Sequence, residues 1–319
     1  MDSDSKTGSS SSAASSSVDP GTDEASQAYR ILYQACPYIK LAHFAANQAI
    51  LEATEAEEKI HVLDLDTRHG WQWPELIRAM TARRSGQPKL LRITAIGFGS
   101  PINEVKSCLE EAAREARIPF EFHAIEANLG DLNPSIFHGG EALAVNLVNW
   151  PYCSDIGKLL PLIREQAPKI VTLTEKETGS GENFPKFLGE FTGLLRHYTM
   201  IFESLEEVFS GVPEARRKVE QIFGAEIRKA VAYGEFKAAE SRNEEIERGI
   251  LLDVDERMKL MEEKGFLRVA LGSGRMTEEL HRLVTSGYGC SSYTLRQREG
   301  SLLLGWRGTN ITATSAWRC

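Results

Sequence analysis

Residues 59–75, KIHVLDLDTRHGWQWPE, constrain the fold more tightly than any other stretch. Ile60, Val62, Leu63 and Leu65 make a short, nearly continuous apolar run punctuated by Asp64 and Asp66. Such a run suits a strand buried on both faces of a parallel sheet. The segment that follows carries one glycine, Gly70, and then Pro74, a residue favoured in the first turn of a helix. Strand, loop and helix in this order open an α/β sheet. Ligands of such sheets bind beyond the carboxyl ends of the strands, which is where Asp64, Asp66 and the loop lie.

The same alternation continues on both sides. Helical spacing predicts helices over 25–35 and 38–54, before the first strand. After it come an amphipathic stretch at 75–84, a β run at 90–96, a helix at 102–117 and a β run at 120–125. A fourth strand is expected at 143–148, then a helix at 155–166 with Ser154 as N-cap. A fifth strand at 170–173 and a helix at 185–198 follow. Residues 205–262 are charged and helical in pattern, Gly265 has the place of a helix C-cap, and β runs at 266–271, 291–297 and 302–306 close the chain. Arg298-Glu299-Gly300 joins the last two as a hairpin. Residues 1–25 are Ser-rich and almost free of apolar side chains, so disorder is expected there.

Five parallel strands followed by a late antiparallel pair define the fold class as α/β. The expected architecture is a doubly wound, Rossmann-like sheet of the S-adenosylmethionine methyltransferase type. The core would be 59–204 and 263–319, with 26–54 and about 205–262 as a helical cap.

A working nucleotide site needs several glycines after the first strand, for close backbone approach, and an acid at the end of the second. Here the loop has only Gly70, between His69 and Trp71, and the second strand ends Ala95-Ile96-Gly97-Phe98. No cofactor is therefore expected. The cleft candidates are Asp64, Asp66, His69, Gly70, Asn128 and Asn146. Asp64 and Asp66 suit acid–base or metal chemistry as a pair, but capping and loop hydrogen bonding is the commoner use of such acids, and it is favoured. No Ser or Cys nucleophile motif accompanies His61 or His69, so catalytic and metal residues are not assigned. The tryptophans near strand ends and loops are either packing residues or interface anchors. Trp71, Trp73, Trp306 and Trp317 are the aromatic partner-binding candidates.

Composition bounds the partners. At 319 residues and 42% hydrophobic the chain can bury a large core. The net charge of −8, with Arg216-Arg217-Lys218 as the tight basic run, predicts weak or no direct binding to duplex DNA. Five cysteines without CxxC spacing imply no disulfide framework or zinc site and favour a reducing compartment. No run approaches eighteen apolar residues and the N-terminus has no apolar signal core, so no membrane association is expected.

Several stretches, in order, resemble the GRAS family of plant transcriptional regulators. ACPYIKLAHFAANQAILEA at 35–53, IHVLDLD at 60–66 and GWQWPELI at 70–77 are similar to its central motif and flanks. LRITAIG at 91–97, IPFEFHAI at 118–125, IVTLTEKE at 170–177 and HYTMIFESLE at 197–206 resemble the middle blocks. GFLRVALG at 265–272, LLLGWRG at 302–308 and SAWR at 315–318 resemble the closing block. The first leucine-rich segment before ACPY is shorter than the family's, Ala225-Glu226 stands where an Arg-Glu pair is usual, and Arg248 is what remains of an Arg-rich motif. The resemblance implies a scarecrow-like nuclear coregulator or scaffold rather than an enzyme. It would act through DNA-binding transcription factors and other GRAS proteins, as homodimer or heterodimer, with the cytoplasm as a second compartment. Arg248 joins the partner-binding candidates on this ground. The alternative is a small-molecule-binding or methyltransferase-like protein that uses the strand-end cleft.

Overall fold

Successive side chains of a strand point to opposite faces, so a strand that is apolar throughout needs an apolar layer on each side. The computed structural model shows both layers. It describes residues 23–65, 67, 69–96, 102–126, 132, 134–148, 156–179, 186–240, 254–271, 274–286, 288 and 291–319. In the first strand, β1 (Lys59–Asp64), Ile60 and Val62 pack with Trp73, Leu76, Ile77 and Leu109 on one face. Leu63, with Leu65 just beyond the strand, packs with Val145, Leu159, Ile163 and Val171 on the other.

Parallel partners flank β1: β2 (Leu90–Ile96), in register Lys59↔Leu90 to Asp64↔Ala95, and β4 (Ala142–Val148), Ile60↔Ala142 to Asp64↔Asn146. Beyond β2 lies β3 (Phe120–Ile125), and beyond β4 lies β5 (Ile170–Lys176). The order 3-2-1-4-5 reverses direction between β1 and β4, and a crevice opens at such a point. Helices α1 (Asp23–Ala35) and α2 (Pro37–Ala53) precede β1; Pro37 sits in the first turn of α2, where its missing N–H costs nothing. Next come α3 (Trp73–Ala79), α4 (Ile102–Ala116), α5 (Ile156–Glu165), α6 (Lys186–Val208), α7 (Pro213–Glu240) and α8 (Val254–Glu263). α2 lies on β5, and α1 packs on α7.

The carboxyl-terminal part differs most from expectation. A helix, α9 (Gly274–Ser286), stands between β6 (Leu267–Val269) and β7 (Tyr293–Arg298). The hairpin through Glu299 and Gly300, both at positive φ, leads to β8 (Ser301–Trp306) as expected. A second turn, at Arg307-Gly308, then leads to a strand that no apolar run announced, β9 (Thr309–Arg318). β9 lies between β5 and β8, antiparallel to both, from Val171↔Trp317 to Lys176↔Thr312 on one side and from Leu302↔Thr314 to Trp306↔Thr309 on the other. Its end also pairs with β6. The expected late pair is therefore a three-stranded antiparallel block, and α6 runs ten residues past its expected end at 198. The Ser-rich segment up to 22 and Ser154 lie outside the described residues.

Candidate functional site

Asp64 and Asn146, near the carboxyl ends of β1 and β4, and Thr172, within β5, occupy neighbouring registers on the face that α2 covers. All are buried. Burial of so many polar groups is tolerable only when each finds a partner, and here they find one another. One carboxylate oxygen of Asp64 accepts from Trp73 Nε1 at 2.8 Å, the other from Asn146 Nδ2 at 3.1 Å. Asn146 Oδ1 accepts from Thr172 Oγ1 at 2.8 Å, and its Nδ2 also reaches Gln72 Oε1 at 3.1 Å. Gln72 Nε2 donates to Asn47 Oδ1 at 3.0 Å, and Asn47 Nδ2 returns a bond to the Gln72 carbonyl at 3.0 Å. The circuit ties β1, β4 and β5 to α2 and to the turn that enters α3.

Gly70 has a packing role. Its φ is +64°, and a Cβ there would stand 2.6 Å from Val105 Cγ1, so the glycine lets the loop close onto α4. Over the loop lies a cluster of rings. His69 stacks on Trp71 at 4.6 Å and 20°, Tyr29 of α1 sits 5.3 Å from His69, and Tyr33 sits 5.2 Å from Trp71. The space left among Asp64, Thr67, Trp71 and Trp73 is ≈ 50 Å³. Pockets for drug-sized ligands run to about 300–1,000 Å³. Asp64, Asn146, Thr172, Gln72 and Asn47 are thus engaged with one another, Thr67 Oγ1 has no hydrogen-bond partner among the described residues, and Tyr29 of α1 with Ile39 and His43 of α2 line the remaining space.

Among the cleft candidates, the structure brings Asp64, His69, Gly70 and Asn146 to one end of the sheet. Asp66 and Asn128 lie outside the described residues. Capping and loop hydrogen bonding are the favoured uses of Asp64 in the sequence; its carboxylate accepts from the Trp73 indole at the start of α3 and from Asn146. Three partner-binding candidates are corrected. Trp73, Trp306 and Trp317 are each 0% exposed, because they fill the apolar layers against the sheet, and cannot anchor a partner in this fold. Trp71 is half-buried within the ring cluster, and Arg248 lies outside the described residues. Sequence reasoning missed Asn47, Gln72 and Thr172. Asn47 had a signal, as a polar residue in the Ala-rich apolar face of its helix.

A second polar group lies farther along the same face. Lys176, at the end of β5, pairs with Glu226 of α7 at 2.6 Å and donates to Tyr198 Oη at 3.1 Å. His197, beside Tyr198 on α6, is 2% exposed. Burial, with the Lys176 ammonium adding to it, pushes its pKa down to about 4. His61, on the opposite face of β1, is also pushed down to about 4, chiefly by burial. Its approach of 4.0 Å to Glu141 is therefore not an ion pair at neutral pH.

The strand order and the antiparallel insertion beside β5 define a methyltransferase-type α/β fold in which the protein's own side chains hold the crevice. A profile of the GRAS domain family matches residues 3–318, and the chain belongs to that family. Its members are plant transcriptional regulators rather than enzymes. The chain is 32% identical over 317 residues to the GRAS family protein RAD1 of Lotus japonicus, covering 95% of this chain and 60% of that protein. It is 38% identical over 297 residues to the DELLA protein RGL1 of Arabidopsis thaliana, covering 90% and 55%. It thus spans little more than half the length of these relatives. The crystal structure of SCL7 of Oryza sativa superposes with a TM-score of 0.79 at 30% identity, covering 94% of this chain and 84% of that one.

Proposed function

We propose that this protein is a nuclear transcriptional coregulator that works through protein contacts, with DNA-binding factors and with other GRAS proteins as its partners. The observation that carries this reading is the strand-end crevice: Asp64, Asn146, Thr172, Gln72 and Asn47 hydrogen-bond to one another, and ≈ 50 Å³ remains. A site so closed favours a scaffold over a cofactor-dependent reaction. The net charge of −8 supports contact with DNA through a partner rather than directly.

The test is a band-shift titration on a duplex that carries the site of a partner transcription factor. The protein should retard the factor–DNA complex further and bind the naked duplex at least a hundredfold more weakly. Tight, steeply salt-dependent binding to naked duplex, with no effect on the factor complex, would overturn the proposal.

A further inference from the structure

A second cavity, of ≈ 60 Å³, lies between the end of β5 and helices α2, α6 and α7. Ile39, Ile201, Ile222, Phe223 and Ile311 make much of its wall, and Lys176, His197, Glu226, His43, Tyr29 and Tyr38 are its charged or titratable lining. His197 is the unusual member. Its Nδ1 lies 3.2 Å from the Glu177 carbonyl oxygen, which can only accept, so Nδ1 carries the ring proton. The ring is neutral at physiological pH, because burial disfavours its charged form. Nε2 is then a bare lone pair, and among the described residues it has no hydrogen-bond partner. Buried acceptors are rarely left so.

We infer that this cavity binds a small molecule bearing one alcohol group, whose O–H donates to His197 Nε2 and whose carbon body lies against Ile201, Ile222 and Phe223. Of the common oxygen groups, an ether or an ionised carboxylate would set an acceptor against an acceptor, whereas an alcohol supplies the missing donor. The hydroxyl oxygen can in turn accept from Lys176, whose ammonium has three hydrogens and gives two to Glu226 and Tyr198. The volume admits roughly two water-sized groups, so the carbon body is short. A longer one would press on Tyr29, Ile39, His43 and Val148, the wall shared with the cavity beside Asp64. Water offers the same O–H donor, and the experiment separates the two sources. The inference does not depend on the coregulator reading.

The full chain, with 15N-labelled histidine, is titrated with methanol, dimethyl ether and formate while the His197 Nε2 resonance is followed. Saturable shifts are expected with methanol, at least tenfold tighter than with the ether, and none with formate. Ala42→Leu, which adds methyl groups to a residue of the cavity wall, should keep the histidine signal and lose the response. Equal or unsaturable responses to alcohol and ether in the unsubstituted protein would mean that the cavity holds water alone, and would overturn the inference.

Discussion

Single residues in this fold are held by named contacts, and their replacement has calculable consequences. Gly70→Ala would place a methyl group against Val105 in a backbone conformation that alanine avoids. A loss of about 1–3 kcal/mol in urea unfolding is expected. Trp73→Phe keeps a ring in the core but removes the N–H that Asp64 accepts, and should cost ~1–3 kcal/mol for the lost hydrogen bond to a buried carboxylate. The two buried histidines set an acid limit. His61 and His197 titrate near pH 4 when folded and near 6.5 when unfolded. As pH falls through 6.5 the unfolded chain takes up protons that the folded chain refuses, so stability is lost from 6.5 down to about 4. By pH 5 each histidine should cost about 2 kcal/mol. Urea unfolding at pH 7 and pH 5 measures this, and His197→Phe should reduce the difference by one histidine's share.

Among the elements, β9 carries the largest consequence. Ala313 pairs with Glu175 of β5 on one side and Leu303 of β8 on the other, so Ala313→Pro would break the ladder inside the sheet rather than at its edge. A cost of about 3 kcal/mol or more is expected, read as a lowered thermal midpoint. β9 was also the element least legible in the sequence. β1, β2, β4 and β5 showed themselves because a strand covered on both faces must be largely apolar, and β3, at the sheet edge, by its partly alternating pattern. TNITATSAWR is covered too, yet Thr314 and Ser315 are buried beside strands that pack closely, and small polar residues fit there without an apolar run. α9 does carry a signal, with Met276, Leu280, Leu283 and Val284 at helical spacing. At the site, position alone marked Asp64 and Asn146 as strand-end residues. Their partners Asn47 and Gln72 depend on where α2 crosses the sheet, which local pattern does not encode. The tryptophans misled because the same side chain serves cores and interfaces, and burial decides between them.

At the scale of the molecule, the sheet carries a methyltransferase-type strand order while its crevice is filled from within. Thermal unfolding with S-adenosylmethionine added should therefore show no dose-dependent rise in midpoint. A rise of several degrees would show that the crevice opens to ligand and would favour the small-molecule alternative. The two apolar layers both meet the sheet from Leu91 and Ile96 of β2 to Leu302 and Leu303 of β8, so the parallel and antiparallel halves should unfold together. Coincident transitions followed by near-UV and far-UV circular dichroism would confirm this.

The placement of β9 also bears on how the protein is made. A ribosome releases β1 to β8 first, and during that time β5 and β8 each present an unpaired edge toward the position that β9 will fill. The nascent chain therefore carries two open strand edges until β9 has been synthesised, the condition under which chains pair wrongly or recruit chaperones. A premature stop codon at any position before Thr309 leaves those edges open for good. Such alleles should behave as nulls through aggregation or degradation, even where β1 to β8 have all been synthesised.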